Sequence, residues 1–140
     1  MSAGFVTAHL DAVPTLSSDD PDWKPLRHHL GIGAFGVNAW VAAAPGEIVI
    51  ERHDEVPDGG GAGGHEELYV VLCGSARFTV AGEEIDVPAG TLVFVADPAL
   101  TREAVATAPD TAVLAIGAAR GVAFEPSPWE GRALRELGAA

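Results

Sequence analysis

GGGAGGHEELYVVLCGSARFTVAGEEIDVPAGTLVFVA, residues 59–96, decides the fold of this chain. A glycine-rich loop delivers His65, Glu66 and Glu67 to the start of an apolar run at 68–73. Gly74 and Ser75 turn the chain, and 76–80 returns. Ala81 and Gly82 turn it again, and 83–87 leads to a break at Pro88, Ala89 and Gly90. Residues 91–95 make a fourth run. Short stretches of β-favouring residues, split at regular intervals by Gly and Pro, predict an antiparallel meander in a sandwich or barrel. Carboxylates and a histidine that enter a strand behind a flexible loop mark a candidate site.

The same pattern extends to both sides. Upstream, strands are expected at about 32–40 and 47–53, joined by the turn Ala44, Pro45, Gly46. In the first, Phe35, Val37, Ala39 and Val41 alternate with Gly36, Asn38 and Trp40, the period of a strand. Residues 57–64, PDGGGAGG, are too rich in glycine to hold one conformation unaided. Downstream, Asp97 and Pro98 end the meander, and strands follow at 101–105 and 111–117 around the turn Ala108, Pro109, Asp110. At the N-terminus, 6–10 suits an edge strand, 15–22 a polar linker, and 23–30 a short helical turn capped by Asp22 and limited by Pro25. Ser127, Pro128, Trp129 and Glu130 form a capping-box pattern with proline at the first helical position. Leu134 and Leu137 give an apolar stripe and Gly138 a stop, so a C-terminal helix is expected over 127–138.

The organisation read from this is one domain over 1–140: an N-terminal extension at 1–31, a core barrel at about 32–117 and the terminal helix. A chain of this length buries roughly two-thirds of its unfolded surface, enough for a full core. Its 48% hydrophobic content supports a folded globule. No apolar run approaches the ~20 residues that span a bilayer. MSAGFVTAHLDAV lacks the basic start and apolar block of a secretory signal. Cys73 is the single cysteine, which excludes an internal disulfide and a multi-cysteine metal site and suits a reducing cytoplasm. The net charge of −12 argues against nucleic acid and anionic membranes as partners. Gly31 and Gly33 and the glycine loop lack the residues of a phosphate loop or dinucleotide fingerprint, so no nucleotide signal is present.

Residues 47–115 resemble the cupin superfamily, whose fold is an all-β antiparallel barrel of jelly-roll type. Its first motif runs G-x5-H-x-H-x(3 or 4)-E-x6-G, and Glu67 is followed after six residues by Gly74. Its second runs G-x5-P-x-G-x2-H-x3-N. Gly90 matches the opening glycine, and Asp97 and Pro98 fall near its proline and glycine. The resemblance implies a metal held by two histidines and a glutamate of the first motif and a histidine of the second. Those positions fall on Gly61, Gly63, Glu67 and Thr101, so only Glu67 of the four is a ligand type used there. Glycine has no side chain to offer a metal. The expectation is therefore no standard metal centre and no favoured cofactor. A divalent metal would need a rearranged set, His53, His65 and Glu67.

Period two places Glu67, Tyr69, Val71 and Cys73 on one face of their strand, with Leu68, Val70 and Leu72 on the other. Inside a barrel, a partly desolvated glutamate suits acid–base work, with His65 at the mouth as its counterpart, so Glu67 and His65 are the candidate catalytic pair. The rival reading pairs Glu67 with Arg52, Arg77 or Arg102 as a structural ion pair. Candidate ligand-binding residues are Tyr69, Asn38, Trp40, Arg52, Arg77, Thr101 and Arg102, the last suited to an anionic group. Cys73 reads as a buried, inert thiol, His28 and His29 as solvent-facing residues of the helical turn, and His9 carries no signal. Three functions follow. The first is a small-molecule binding protein, a homodimer as the resemblance implies. The second is an enzyme, either a metal-free isomerase or cyclase using Glu67 and His65, or a metal-dependent oxygenase. The third is a dimeric interaction module with no ligand.

Overall fold

The computed structural model describes residues 4–17, 21–57 and 64–138. Most of the glycine loop, the motif-one positions Gly61 and Gly63, and the middle of the expected 15–22 linker lie outside the described residues. Nine strands and two helices are described: β1 (Asp22–Lys24), α1 (Leu26–Leu30), β2 (Gly36–Ala42), β3 (Ile48–His53), β4 (His65–Cys73), β5 (Ser75–Val80), β6 (Glu83–Pro88), β7 (Leu92–Val95), β8 (Arg102–Ala106), β9 (Thr111–Ala119) and α2 (Pro128–Glu136). The strands form two sheets, in the orders β1-β2-β9-β4-β7 and β3-β8-β5-β6, with antiparallel pairing throughout. The architecture is an all-β jelly roll with a short C-terminal helix. Among the described residues no helix is long and apolar enough to cross a membrane.

Alternation builds the core. Inward side chains of the five-stranded sheet form rows across neighbouring strands: Gly36, Gly117, Glu67 and Val95, then Asn38, Ala115, Tyr69 and Val93, then Trp40, Val113 and Val71. Val49, Ile50, Phe78, Val87, Ala104 and Ala106 meet them from the other sheet, all nearly inaccessible to solvent. A second apolar cluster lies on the outer side. There Val13 and Leu26 of the N-terminal segment cover Val37 and Ala39 of β2 and pack with Leu114 and Ile116 of β9.

Four readings of local sequence are corrected. Residues 6–9 form no strand, and Leu10–Ala12 is a single 3-10 turn that His9 caps by accepting the Asp11 N–H. Trp23 belongs to a strand, not a helical turn: β1 pairs with β2, and Pro25 rather than Asp22 precedes the helix. Tertiary pairing with β2 overrides the local cap signal. Cys73 is exposed, because the register slips between Val71 and Cys73 and turns it off the inward face. Its Sγ donates to the Asp110 carbonyl at 3.3 Å. Ser127 and Pro128 do start α2, but the capping box does not close. Ser127 makes no side-chain cap bond, and Glu130 instead accepts from Arg27 Nε at 3.0 and 3.1 Å in a nearly buried ion pair that ties α2 to α1.

The turn between β4 and β5 has little freedom. Gly74 has φ +73°, and a Cβ there would sit 2.7 Å from Thr111 Cα. Thr111 itself is buried and bonds the Ser75 carbonyl at 3.1 Å and the Ala108 carbonyl at 2.9 Å. Gly82 has φ +81° but open space around it. Urea denaturation should show Gly74→Ala losing more than about 2 kcal/mol, through strain plus collision, and Gly82→Ala about 1 kcal/mol, through strain alone. Equal losses would contradict the packing described at Thr111.

Candidate functional site

β4 enters the barrel beside the end of β3. Gly64 passes so close to Pro98 and to the Glu55 carbonyl that a Cβ would lie 2.7 Å from that oxygen. The Glu55 N–H donates to the Pro98 carbonyl at 2.8 Å. These contacts bring the last residues of β3, the first of β4 and the 97–101 turn to one place. Each element contributes a charged side chain there.

At the bottom is Arg102. It opens β8, faces inward and is fully buried, and its Cα partner on β3 is His53. A buried guanidinium needs acceptors for its donors and an opposing charge. Arg102 Nε donates to the Leu100 carbonyl at 2.9 Å, Nη2 to the Asp97 carbonyl at 3.3 Å, and Nη1 to Glu67 Oε1 at 3.0 Å. Glu67 stands on the opposite sheet, so this ion pair crosses the barrel. The Tyr69 hydroxyl donates to the same Glu67 oxygen. Burial raises the Tyr69 phenol above its ordinary range, and the Glu67 charge adds to that.

Above it lies a string of ionisable groups. His53 Nδ1 meets the Glu51 carbonyl at 2.7 Å, and Nε2 lies 3.1 Å from Glu55 Oε2 and 3.6 Å from Glu67 Oε1. Burial works against charge on this ring, but the bonds to Glu55 and Glu67 outweigh it and push His53 up to about 10. The other Glu55 oxygen lies 3.4 Å from His65 Nδ1, and this contact raises His65. Burial opposes ionisation of Glu55, yet the two imidazoles outweigh it and hold Glu55 down to about 2. Both partners give the same picture, a carboxylate clamped between two imidazolium rings.

These groups border a cavity of about 840 Å³ at the barrel mouth. Its floor is small: Gly36, Gly117 and Ala115 face inward between the polar groups of β2 and those of β4. Its far wall is aromatic. Trp23 of β1, Trp40 of β2 and Trp129 of α2 pack together with ring centroids 5.1–6.2 Å apart. Trp23 Nε1–H donates to Asn38 Oδ1 at 2.7 Å. Phe124, on the strap between β9 and α2, closes one side over Gly36, its ring 5.7 Å from that of His65.

The structure therefore brings Glu67, His65, His53, Tyr69, Asn38, Trp40 and Arg52 to one cavity. Arg102 lies behind Glu67, with donors on Nε, Nη1 and Nη2 all bonded to protein oxygens. Arg77 pairs with Asp86 on the solvent side of β5 and β6 at 3.1 Å. Thr101 accepts the Ala81 N–H at 2.8 Å through its carbonyl. Sequence reasoning missed Glu55, Trp23, Trp129 and Phe124. Glu55 was signalled by its place two residues after His53, whereas the aromatic residues come from elements that read as packing caps.

One group of side chains among the described residues has the donors for a divalent metal. His53, Glu55 and Glu67 place donor atoms within 4.8 Å of one another, and His65 approaches Glu55 rather than Glu67. The types suit a hard cation, but the positive charge that two carboxylates need is already supplied by Arg102 and the two imidazoles. A metal would have to displace the His53 proton and share an oxygen bound to Arg102 and Tyr69. His53, Glu55 and Glu67 are the residues that would hold a metal ion here.

No protein-family model matches the chain, and no curated protein matches it. Solved structures do. A cupin protein from Bacteroides fragilis shares 23% identity over 79% of this chain and 86% of its own, with a TM-score of 0.57. A conserved protein with a double-stranded β-helix domain from Klebsiella pneumoniae shares 20% identity over 89% of this chain and 93% of its own, TM-score 0.65. PAC13 from Streptomyces, solved with uridine, shares 13% identity over 79% of each chain, TM-score 0.54. The chain has the cupin fold.

Two outcomes follow from the ion cluster. His53 is raised above its ordinary 6.5, so its stabilisation is complete below pH 6.5 and is lost as pH rises through about 10. Glu55 is lowered from 4.5, so its share is present above pH 4.5 and lost as pH falls through about 2. Thermal melts across pH should show His53→Gln flattening the alkaline loss; parallel curves would remove His53 from the cluster. Glu67→Gln leaves the Arg102 guanidinium buried without an opposing charge and should cost about 3 kcal/mol in urea denaturation.

Proposed function

We propose that this protein holds a small organic molecule in the mouth of its barrel, without the metal centre that the fold commonly carries. The observation behind this is the 840 Å³ cavity, whose size suits a ligand site and whose walls combine aromatic rings with a few convergent polar groups. A cavity of this size favours a ligand over a filled interaction module. Its floor is kept open by residues with little or no side chain, which a merely structural barrel would gain by filling. Arg102 and the imidazoles of His53 and His65 stand in for the metal's charge beside Glu55 and Glu67.

The test is a thermal-shift screen of metabolites against the wild-type chain and Ala115→Leu. The variant extends a side chain over the floor beside Tyr69. It should remove every ligand-induced shift while leaving the unliganded melting temperature within a few degrees. Ligand shifts unchanged in Ala115→Leu would place binding elsewhere. One equivalent of Mn, Fe, Ni or Zn per purified chain would overturn the metal-independent part.

A second reading is an acid–base enzyme, favoured by two shifted imidazoles around one carboxylate at the cavity surface. His65 and Glu67 would face the substrate, with Glu55 holding His65 in place. A metal-dependent oxygenase would draw instead on His53, Glu55 and Glu67.

The same reading makes the chain a homodimer. The outer rows of the five-stranded sheet run Val37, Ile116, Leu68, Phe94 and Ala39, Leu114, Val70, Leu92. The N-terminal segment covers the β2 end, while Leu92 and Phe94 at the β7 edge remain 61% and 60% exposed. An apolar surface continuous with a covered one, ending on an open edge strand, suits a second copy. Light scattering after gel filtration should report a dimer for the wild type and a folded monomer for Phe94→Lys. A monomeric wild type would end this assignment.

A further inference from the structure

The chain has three tryptophans, and all three stand on one wall of the cavity. They come from separate elements, β1, β2 and α2, so no local repeat explains their convergence. Their geometry is that of a continuous surface: Trp23 and Trp40 are stacked 6.1 Å apart, and Trp129 leans on both at 5.1 and 6.2 Å. Trp23 is the buried member, with its N–H given to Asn38 Oδ1. Trp40 is half-buried and Trp129 38% exposed, so they present ring surface to the cavity. The Asn38 amide nitrogen and the indole N–H groups of Trp40 and Trp129 are donors on this wall.

The floor beneath is flat for a chemical reason. Gly36 and Gly117 are paired neighbours, and Ala115 follows on the same inward face. The polar groups lie on the other side of this floor. Asn38 and Tyr69 are both paired with Ala115, which separates their strands by two spacings, roughly 10 Å. A molecule in this space meets aromatic faces at one end, bare backbone below, and His53, Glu55 and Glu67 at the other. The wall is mostly ring face, so a polyol lying along it would lose much of its hydration there. A flat ring loses little on that side and gains stacking.

We infer that the ligand is a compound with a planar aromatic or heteroaromatic ring, stacked on Trp40 and Trp129, with a hydroxyl or N–H group directed at the Glu55 carboxylate. This rests on the cavity being the ligand site, and it names the ligand's chemical class. Trp40 and Trp129 are then the residues that select it.

Tryptophan emission is the direct readout, because all the indoles stand on the wall. The full-length protein is titrated with uracil, 4-hydroxybenzoate and indole-3-carboxylate, and in parallel with glucose and gluconate, following emission and melting temperature. At least one ring compound should quench emission and raise the melting temperature. Trp40→Leu and Trp129→Ala, each checked for native circular dichroism, should weaken that binding roughly tenfold or more, the scale of one lost aromatic stack. Trp129 lies on the surface helix, so its variant keeps the question open to test even if Trp40→Leu fails to fold. Binding of glucose or gluconate alone, abolished by Ala115→Leu, would overturn the ring class while leaving the cavity as the binding site. Ring binding unaffected by both tryptophan variants would overturn the stacking role. No response to any probe would overturn this inference and count against the cavity reading as well.

Discussion

The ion pair between Arg102 and Glu67 holds the rest in place. It joins one sheet to the other through the interior, and it is the point at which a fully buried cation meets its countercharge. Such a pair contributes little to stability compared with an apolar replacement, but it is unforgiving of a missing partner. It also sets direction. With Glu67 held from below by Arg102 and from the side by Tyr69, its carboxylate is fixed at the cavity's base, and His53 and Glu55 arrange themselves above it. The charge order of the site, guanidinium, carboxylate, imidazole, carboxylate, imidazole, alternates in sign from the core to the mouth.

The cavity has a related origin. A jelly roll of this size ordinarily fills its interior with side chains. Here Gly36 of β2 and the inward positions of β9 nearest the mouth, Gly117 and Ala115, carry little or no side chain, and bulk is supplied from outside the barrel, by Trp23, Phe124 and Trp129. The walls are thus carried by the chain's two extensions and the floor by the sheet. Arg27 and Glu130 link those extensions through a nearly buried ion pair, so the aromatic wall is positioned by electrostatics as well as by ring contact. The function proposed for the protein follows from this division: a rigid floor with charged groups on one side and an assembled aromatic surface on the other.

Much of the fold was legible. Strands β2 to β9 fall within a few residues of the expected ones, because alternation and Gly/Pro turns report directly on a half-buried pleated surface. The failures share a cause. Residues 6–9 have strand-like composition but find no partner strand, while Trp23, between polar residues and a proline, does find one in Trp40. Strand formation depends on a partner, and local composition does not reveal it. Cys73 looked inward by period two, and a one-residue slip in pairing reversed it.

What the sequence determined by itself is what periodicity encodes: two antiparallel layers, the inward face bearing Glu67 and Tyr69, and the match of Glu67, Gly74 and Gly90 to the cupin pattern. It also showed that glycine and threonine stand where the fold's usual imidazoles would be. Which arginine answers Glu67, that Glu55 sits between two histidines, and that three distant tryptophans form one wall were decided by tertiary structure alone. The reason is physical. Secondary structure follows from neighbours a few residues apart, whereas these contacts join residues as distant in sequence as Trp23 and Trp129. Only the closing of one sheet over the other brings them within hydrogen-bonding or van der Waals reach.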